Sequence, residues 1–316
     1  MTFTTPAIDD ALIARPVDPT VAPPAEAALV HAVVGLGRFG STHARKLAGL
    51  PGFRLRAMVD RSSAARPGAE LAALPLLASV DDLPPDIESA TVATSDEAHA
   101  EVALALMRRG CHVLVEKPLC IDRSDGELMV RTALQCGVTL STGHIERFNP
   151  AFDDSVLRRL RHAVANHRRS AQPILRFRRY SSRDATARDS VLDLMVHDID
   201  LFAWLCAIPV DVPLEVIARR IGARSVHVRV RLGDLLADLE SGYDGMPANA
   251  QLQVCIAGRQ QVLNLRSNAP CTVAGDDALA RQYRDFRRAI RGEGSRIASG
   301  VDGLVAVTRA CQVLHA

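Results

Sequence analysis

The sequence predicts an α/β protein with two domains, one built on a doubly wound parallel sheet and the other on an antiparallel or mixed sheet. The chain has 316 residues, which is long enough for two domains of ordinary size. In the first half, short apolar runs alternate with helical patterns, as in a parallel sheet with crossover helices. In the second half, several strand-like runs follow one another with short connections. We therefore expect a flexible tail at 1–28, a first domain at 29–146 and a second at 147–316.

The composition argues against several classes of partner. Hydrophobic residues make up 48% of the chain, charged residues 23%, and the net charge is +2, which favours neither a nucleic acid nor an anionic membrane surface. No apolar run approaches the roughly 20 residues that a membrane-spanning helix needs. The seven cysteines form no C-x-x-C pair, which favours reduced thiols in a cytoplasmic protein over disulfides or a metal site. The proline-rich first 28 residues lack the basic start and apolar core of a secretory signal.

A glycine-rich turn, Gly35-Leu36-Gly37-Arg38-Phe39-Gly40, follows the first predicted strand at 28–34. A helix at 41–50 follows the turn, and a second strand ends at Asp60. In a dinucleotide-binding turn, the first glycine makes the bend, the second lets the backbone approach a pyrophosphate, and the third lets helix and strand pack closely. The helix N-terminus then offers free N–H groups to the phosphates. The spacing predicts a Rossmann dinucleotide site.

The acid after the second strand bears on the choice of cofactor. Asp60 lies twenty residues beyond the last glycine, where a carboxylate accepts hydrogen bonds from the adenosine ribose hydroxyls. This favours NAD over NADP. Arg61 follows directly and can reach a 2′-phosphate, so NADP stays an alternative.

The remaining elements of the first half continue the alternation. They are a short strand at 76–79, a strand at 89–94, a helix at 97–109, a strand at 111–115, a helix at 125–135 and a strand at 138–141. Ligands of parallel sheets bind outside the carboxyl ends of the strands. Asp60, Thr94, Lys117 and His144 all fall at such ends.

The second half has a different pattern. It contains a helix at 151–164, a strand at 174–180, a helical run at 191–202, strands at 214–221, 225–232, 250–257 and 260–265, and helices at 278–291 and 301–314. Asp193, His197 and Asp200 have the i, i+4, i+7 spacing of one helical face within an apolar run. Buried ionisable groups are costly unless they are paired or used, so this face and Lys117 are candidate site residues. The alternatives are a satisfied polar seam and a surface lysine beside a turn.

Three motifs in this order resemble the Gfo/Idh/MocA family of sugar oxidoreductases: the glycine turn, Glu116-Lys117-Pro118, and Asp193-x-x-x-His197-x-x-Asp200. The resemblance implies an N-terminal Rossmann domain and a C-terminal α/β domain on an open mixed sheet. Because that sheet commonly serves as a subunit interface in the family, it also implies a homodimer or homotetramer.

The resemblance assigns roles to residues of this sequence. Lys117 would hold the reacting hydroxyl, His197 would be the general acid/base, and Asp193 would orient His197 or anchor the substrate. The residues implied in cofactor binding are Gly35, Gly37, Arg38, Phe39, Gly40, Asp60, Arg61, Thr94, Ser95, His99, Glu116 and Lys117. No metal is implied.

A finer resemblance, through 143–150 and 192–200, is to the UDP-N-acetylglucosamine 3-dehydrogenases within the family. It implies oxidation of C3 to a 3-keto nucleotide sugar, with Arg147 and Asn149 touching substrate. Arg147 or the arginines at 176–179 would then meet the diphosphate, whereas a salt bridge is the alternative for Arg147. Other functions left open are another sugar or cyclitol dehydrogenase, an NAD-dependent glycosidase, and an NAD-binding regulatory subunit.

The chain departs from the family between Gly233 and Gly275. This segment is short, lacks the usual serine–arginine pair, and is expected to form an acidic loop at 233–247 in place of paired strands.

Overall fold

The computed structural model describes residues 27–62, 71–166, 174–182, 185–187, 189–243, 248–256, 259–266 and 276–316. All but the last two residues of the predicted flexible tail lie outside these ranges. The described residues form two compact units. One unit comprises residues up to 145 together with 276–304, and the other comprises 146–266 together with 305–316.

The strands and helices are numbered in chain order. The strands are β1 (Leu29–Val34), β2 (Phe53–Val59), β3 (Leu76–Leu77), β4 (Ser89–Val92), β5 (His112–Glu116), β6 (Leu140–Gly143), β7 (Leu175–Tyr180), β8 (Leu214–Ile221), β9 (Ser225–Leu232), β10 (Leu235–Gly242), β11 (Asn249–Ile256), β12 (Arg259–Asn264) and β13 (Ala298–Ser299). The helices are α1 (Arg38–Ala48), α2 (His99–Arg108), α3 (Arg123–Cys136), α4 (Asp154–Asn166), α5 (Val196–Leu205), α6 (Ala278–Ile290) and α7 (Gly300–His315).

The first sheet has the order β3-β2-β1-β4-β5-β6-β13. Strands β1 to β6 are parallel, and only the added edge strand β13 runs antiparallel, beside β6. Every residue of β1 and β4 is buried, which explains why these strands read as continuous apolar or small-residue runs. The strand order reverses between β1 and β4, as in doubly wound nucleotide-binding folds. The predicted α/β class is confirmed.

The first unit includes a segment that the sequence analysis placed in the second domain. Within 276–304, β13 extends the sheet beside β6, and α6 packs its aromatic face against β1 and β2. Tyr283 and Phe286 of α6 are fully buried there. The predicted range 147–316 therefore differs from the structure at this segment, because a long-range return of the chain completes the first unit.

A fully buried histidine lies in β1. The Nδ1 atom of His31 is 2.8 Å from the Ser89 hydroxyl, and its Nε2 atom is 2.9 Å from the Thr91 hydroxyl. The rings of Phe53 and Phe286 meet His31 edge-on. Burial, and secondarily the nearby His43, lowers the pKa of His31 from 6.5 to about 3, so the ring is neutral in the folded chain near neutral pH.

We expect His31 to make the first unit sensitive to acid. Its pKa rises to the ordinary value on unfolding, so below about pH 6.5 the unfolded chain binds an extra proton. Stability is thus kept above that pH and lost as the pH falls toward 3, with about 2 kcal/mol lost between pH 7 and pH 5. In calorimetry, His31→Gln, which cannot titrate, should lose less stability over this interval than the wild type. Equal losses would contradict the assignment.

The second sheet is mixed and has the order β12-β11-β7-β10-β9-β8. Strands β7 and β10 are parallel, and all other neighbours in this sheet are antiparallel. Its inner face packs against α4, α5 and the end of α7, with Phe177, Leu201 and Phe202 among the fully buried side chains. The expected mixed sheet is confirmed.

Strand β10 corrects the expectation of an acidic loop at 233–247. Leu235, Ala237 and Leu239 face the core, while Asp238 and Glu240 point to the opposite face. The strand is central in the sheet and pairs on both sides. The acids looked like loop residues in the sequence because their partners are arginines on neighbouring strands. Residues 244–247 lie outside the described ranges.

The outer face of the second sheet is densely charged. Arginines and acids of adjacent strands form ion pairs across it. The pairs are Arg176–Asp238, Arg178–Glu240, Arg229–Asp238 and Arg231–Glu215. Within the described ranges, no helix is both long enough and apolar enough to cross a membrane.

Candidate active site

The glycine turn of the first unit has the geometry that its sequence predicts. Gly35 has a φ of +88°, and its N–H donates to the Val59 carbonyl at 2.8 Å. A Cβ on Gly35 would lie 2.6 Å from the Ala93 carbonyl oxygen, and one on Gly40 would lie 1.7 Å from the Gly35 carbonyl oxygen. Gly35 and Gly40 are therefore required by the fold itself.

The middle glycine is different. A Cβ on Gly37 would meet nothing within 4 Å, and Gly37 precedes the first turn of α1 with no side-chain cap and no acid in that turn. The fold therefore does not need a glycine here, whereas a phosphate approaching the free N–H groups of the helix does. The open space at Gly37, which a side chain would fill, fits the pyrophosphate of a dinucleotide.

We expect Gly37→Ala to weaken NAD binding without unfolding the protein. The added methyl group occupies the space through which the pyrophosphate approaches, so the dissociation constant should rise roughly tenfold or more, about 1.4 kcal/mol. Titration of protein fluorescence with NAD measures the constant. The matched control is Gly49→Ala at the other end of α1, where a Cβ also meets nothing. Unchanged affinity in Gly37→Ala would contradict this use of the turn.

The acid at the end of β2 is fixed to the turn. Asp60 accepts the Leu36 N–H through Oδ2 at 2.6 Å and the Ser62 N–H through Oδ1 at 2.8 Å. The carboxylate is half-buried and lies beside the glycine turn, as its predicted role toward a ribose requires.

The other predicted cofactor residues divide by exposure. Phe39 is 56% exposed, and the Arg38 guanidinium lies 4.9 Å from the centre of its ring. Thr94 and Ser95 follow the carboxyl end of β4 and are at least partly exposed. The exposed polar residues among them are Arg38, Arg61 and Ser95. All five are near strand ends or the glycine turn, and their contacts with a cofactor stay predictions.

His99 has an internal contact instead. Its side chain is 1% exposed, and its Nδ1–H donates to the Pro118 carbonyl at 2.8 Å. His99 therefore braces the backbone directly after Lys117. A direct cofactor contact by this residue stays a prediction.

Lys117 follows β5 and is preceded by an anchored acid. The Glu116 carboxylate accepts a hydrogen bond from His43 Nε2 at 3.0 Å and another from the Lys117 backbone N–H. Burial alone would raise the pKa of Glu116, but the His43 hydrogen bond and the charge of Lys117 hold it below its ordinary value. Glu116 is therefore ionised, and its carboxylate interacts with the backbone N–H of Lys117.

The candidate catalytic residues of the second unit lie at an irregular helix. The predicted run starts with a π turn at Val191–Met195, which leads directly into α5. Asp193 lies within the π turn and His197 in the first turn of α5, and both are half-buried. Such π turns occur often at functional sites because they re-aim side chains.

A tyrosine that the sequence analysis did not single out supports Asp193. The hydroxyl of Tyr243 donates to Asp193 Oδ2 at 2.5 Å, and Tyr243 is 1% exposed. It follows β10 directly, within the segment that was expected to be a loop. An uninterrupted strand pattern through Gly242 is the signal that could have found it.

Asp200, the third residue of the predicted helical face, forms a salt bridge with an arginine. Asp200 is 4% exposed and forms a bidentate salt bridge with Arg147, at 2.9 Å to Nε and 2.6 Å to Nη2. Arg147 is itself 6% exposed. The salt-bridge alternative for Arg147 is thus present in the structure, and its contact with substrate stays a prediction.

A second buried ion cluster lies close in sequence to the first. Arg179 contacts Asp198 at 2.8 Å and Glu146 at 2.7 Å. Burial raises the pKa of Asp198 to about 6, although the Arg179 charge opposes that shift. Arg176 and Arg178 point to the outer face of the sheet instead, so the arginines at 176–179 do not form one cluster.

Asn149 is also tied to its own unit. Its Nδ2 group donates to the Leu265 carbonyl at 2.7 Å and to Glu146 Oε2 at 2.8 Å, and its Oδ1 accepts the Ala151 N–H. These contacts fix the loop between β6 and α4. Its contact with a substrate stays a prediction.

Known proteins resemble both units. The Gfo/Idh/MocA profile, described as an oxidoreductase family with an NAD-binding Rossmann fold, matches residues 29–144. UDP-N-acetylglucosamine 3-dehydrogenase of Acidithiobacillus ferrooxidans is 28% identical over 314 residues, covering 89% of this chain and 95% of that protein. A solved structure of that enzyme, GnnA, superposes with a TM-score of 0.70 at 25% identity, covering 90% of this chain and 96% of that chain. Myo-inositol dehydrogenase Hyg17 of Streptomyces leeuwenhoekii is 32% identical over 184 residues, covering 55% of this chain and 54% of that protein.

The profile covers the strands, the glycine turn and the Glu116-Lys117 pair of the first unit, and the geometry of the turn fits a dinucleotide. Residues 29–144 therefore match the NAD-binding Rossmann domain of the Gfo/Idh/MocA oxidoreductase family, and the chain is an NAD(P)-dependent oxidoreductase.

Proposed function

We propose that this oxidoreductase uses NAD to oxidise a sugar hydroxyl, and that the hydroxyl is that on C3 of UDP-N-acetylglucosamine. The extent of the similarity supports this substrate. The match to the Acidithiobacillus enzyme spans 89% of the chain and so includes the second unit, where the candidate base lies. The match to the inositol dehydrogenase spans 55% of the chain. A cyclitol is therefore the second candidate substrate.

The proposed chemistry assigns one task to each residue. Oxidation of an alcohol removes a proton from oxygen and a hydride from carbon. His197 takes the proton, because an imidazole titrates in the physiological range. The ammonium of Lys117 holds the hydroxyl and stabilises the developing alkoxide. Asp193 orients His197 or anchors the sugar, and its hydrogen bond from Tyr243 fixes the carboxylate. NAD, when bound, supplies the hydride acceptor.

Asp60 supports NAD as the cofactor. Its carboxylate can accept hydrogen bonds from ribose hydroxyls and disfavours a 2′-phosphate. The neighbouring Arg61 is exposed, so we propose that the acid decides the preference. A ratio of kcat/KM for NAD over NADP above unity supports this, and the reverse ratio contradicts it.

We also propose that the protein is a homodimer or homotetramer through the outer face of the second sheet. Arginines and acids alternate across this face, so a second copy packed in the opposite direction can exchange ion pairs with it. Light scattering measures the mass in solution. A monomer at all protein concentrations contradicts the proposal.

The reaction is tested by NADH absorbance with purified protein, NAD and UDP-N-acetylglucosamine, with a matching aminotransferase and glutamate to remove the ketone. Accumulation of NADH in proportion to sugar consumed supports the proposal. If NADH forms with myo-inositol but not with the nucleotide sugar, the substrate is a cyclitol. Sugar cleavage without NADH identifies a glycosidase.

A regulatory, NAD-binding subunit is the alternative of another class. The altered segment from Gly233 to Gly275 was its main support, and the regular pairing of β10 removes the part of that support that came from the expected loop at 233–247. Tight NAD binding without turnover of any sugar or cyclitol would favour it.

A further inference from the structure

A continuous chain of side-chain hydrogen bonds crosses the interior of the first unit and ends at Glu116. Each neighbouring pair is within 3.0 Å, and the members come from strands β1, β4 and β5 and helices α1 and α6. In order, the chain consists of Ser89, His31, Thr91, Tyr283, His43 and Glu116.

The side chains of this chain are buried. Ser89, His31, Thr91 and Tyr283 are 0% exposed, and His43 is 2% exposed. The chain begins at the buried Ser89 hydroxyl and so offers no route for protons to bulk solvent. A proton relay is thus excluded as its purpose, and the remaining use of such a chain is to fix orientation.

The ionised end, taken together with a neutral His43 ring, sets the direction of every bond. Because Glu116 is a carboxylate, His43 must donate to it from Nε2–H. With a neutral ring, His43 Nδ1 then accepts the Tyr283 hydroxyl, 2.7 Å away. Burial raises the pKa of Tyr283, so this hydroxyl keeps its proton.

The rest of the chain follows the same direction. The Tyr283 oxygen accepts from the Thr91 hydroxyl at 2.9 Å, and Thr91 accepts from His31 Nε2–H. Ser89 donates to His31 Nδ1. Each donor is used once, and both rings carry their proton on Nε2.

The ionised end also explains why the chain matters to the site. The Glu116 carboxylate binds the backbone N–H of Lys117 and fits beside Gly143, where a Cβ would lie 2.7 Å from Oε1. His43 therefore holds a carboxylate that in turn holds the peptide group of Lys117. Tyr283, in α6, fixes the tautomer and the ring orientation of His43.

We propose that His43 and Tyr283 are positioning residues for Lys117, acting through Glu116. Their effect on turnover rests on the function proposed above, whereas the hydrogen-bond direction on which they depend does not. A misplacement of Lys117 lowers the rate of the chemical step more than it weakens binding of sugar or NAD.

The first experiment needs no substrate. Proton–nitrogen correlation spectra of protein labelled with ¹⁵N-histidine report which ring nitrogen carries the proton. In the wild type, His43 and His31 should both show a protonated Nε2 and a bare Nδ1. In Tyr283→Phe, Thr91 loses its acceptor and donates back to His31, so His31 should shift toward the Nδ1–H tautomer. Protonation of His43 on Nδ1 in the wild type, or an unchanged His31 in Tyr283→Phe, would overturn the proposal.

The second experiment measures turnover, with NAD affinity as an independent check of folding. Tyr283→Phe and His43→Leu should lower kcat roughly ten- to hundredfold, while KM for the sugar and the NAD dissociation constant change less than about twofold. His43→Gln retains a donor toward Glu116 and should recover most of kcat. The control is Phe286→Leu, one turn along α6, which loses buried packing but no hydrogen bond.

The outcomes separate the two proposals. If kcat falls equally in Phe286→Leu and Tyr283→Phe, the effect is structural and the positioning role is wrong. If the wild type turns over no sugar but the tautomers are as expected, the proposed function fails while the chain to Glu116 stands.

Discussion

His197→Asn should lose about 10²- to 10⁴-fold in kcat, which is the usual contribution of a general base. The asparagine side chain can still accept a hydrogen bond, but it cannot take the hydroxyl proton. NADH absorbance with UDP-N-acetylglucosamine measures the loss. NAD affinity should stay the same, because the glycine turn and Asp60 belong to the other unit.

A matched control comes from the same unit. His162 lies on α4 and is exposed, so His162→Asn should keep wild-type turnover. Near-normal turnover in His197→Asn would place the base elsewhere and would refute the proposed mechanism.

Arg147→Met should destabilise the second unit by about 3–5 kcal/mol, because it leaves the Asp200 carboxylate buried without its bidentate partner. Thermal unfolding followed by circular dichroism measures the loss. The control is Arg178→Met, on the exposed outer face opposite Glu240, which should cost about 0–1 kcal/mol.

The double variant Arg147→Met/Asp200→Leu distinguishes the two roles that the sequence left open for Arg147. Removing both charges should restore most of the stability, since the cost arises from the unpaired carboxylate. If Arg147→Met instead unfolds like the wild type and raises KM for the nucleotide sugar, the arginine serves the substrate.

The sequence predicted the first unit well where the signals are local. The turn from Gly35 to Gly40 and the acid at Asp60 lie within one strand–helix–strand unit. Gly35 and Gly40 have a steric reason within the fold, and Gly37 leaves room for a phosphate. The strands β1 and β4 have no exposed face, so their sequence pattern is that of a buried parallel strand. Lys117 was found because a strand and a proline bracket it.

Prediction was weaker where distant residues decide the outcome. The acids of β10 look like loop residues until Arg178 and Arg229 are seen on adjacent strands. The spacing of Asp193, His197 and Asp200 suggested one functional face, but Asp193 lies in a π turn, and Asp200 forms a salt bridge with the distant Arg147. No local sequence pattern indicates which arginines pair with the acids of β10 or with Asp200.

The buried His43 shows the same limit of prediction from the sequence. His43 falls on the buried side of α1, which periodicity could have indicated, but its partner Tyr283 comes from the far end of the chain. A buried histidine needs a hydrogen-bond partner, but the sequence does not indicate which residue provides that hydrogen bond.

The return of 276–304 to the first unit has a consequence for how this protein is made and dissected. A ribosome releases the residues of the second sheet before those of α6 and β13, so the cofactor-binding unit stays incomplete, with His43 and the edge of β6 uncovered, until the whole second sheet has been made. Cutting the gene after residue 145 would yield an incomplete fold. A minimal NAD-binding fragment has to be spliced from two pieces, 27–145 joined to 276–304, and the splice would replace the whole second sheet.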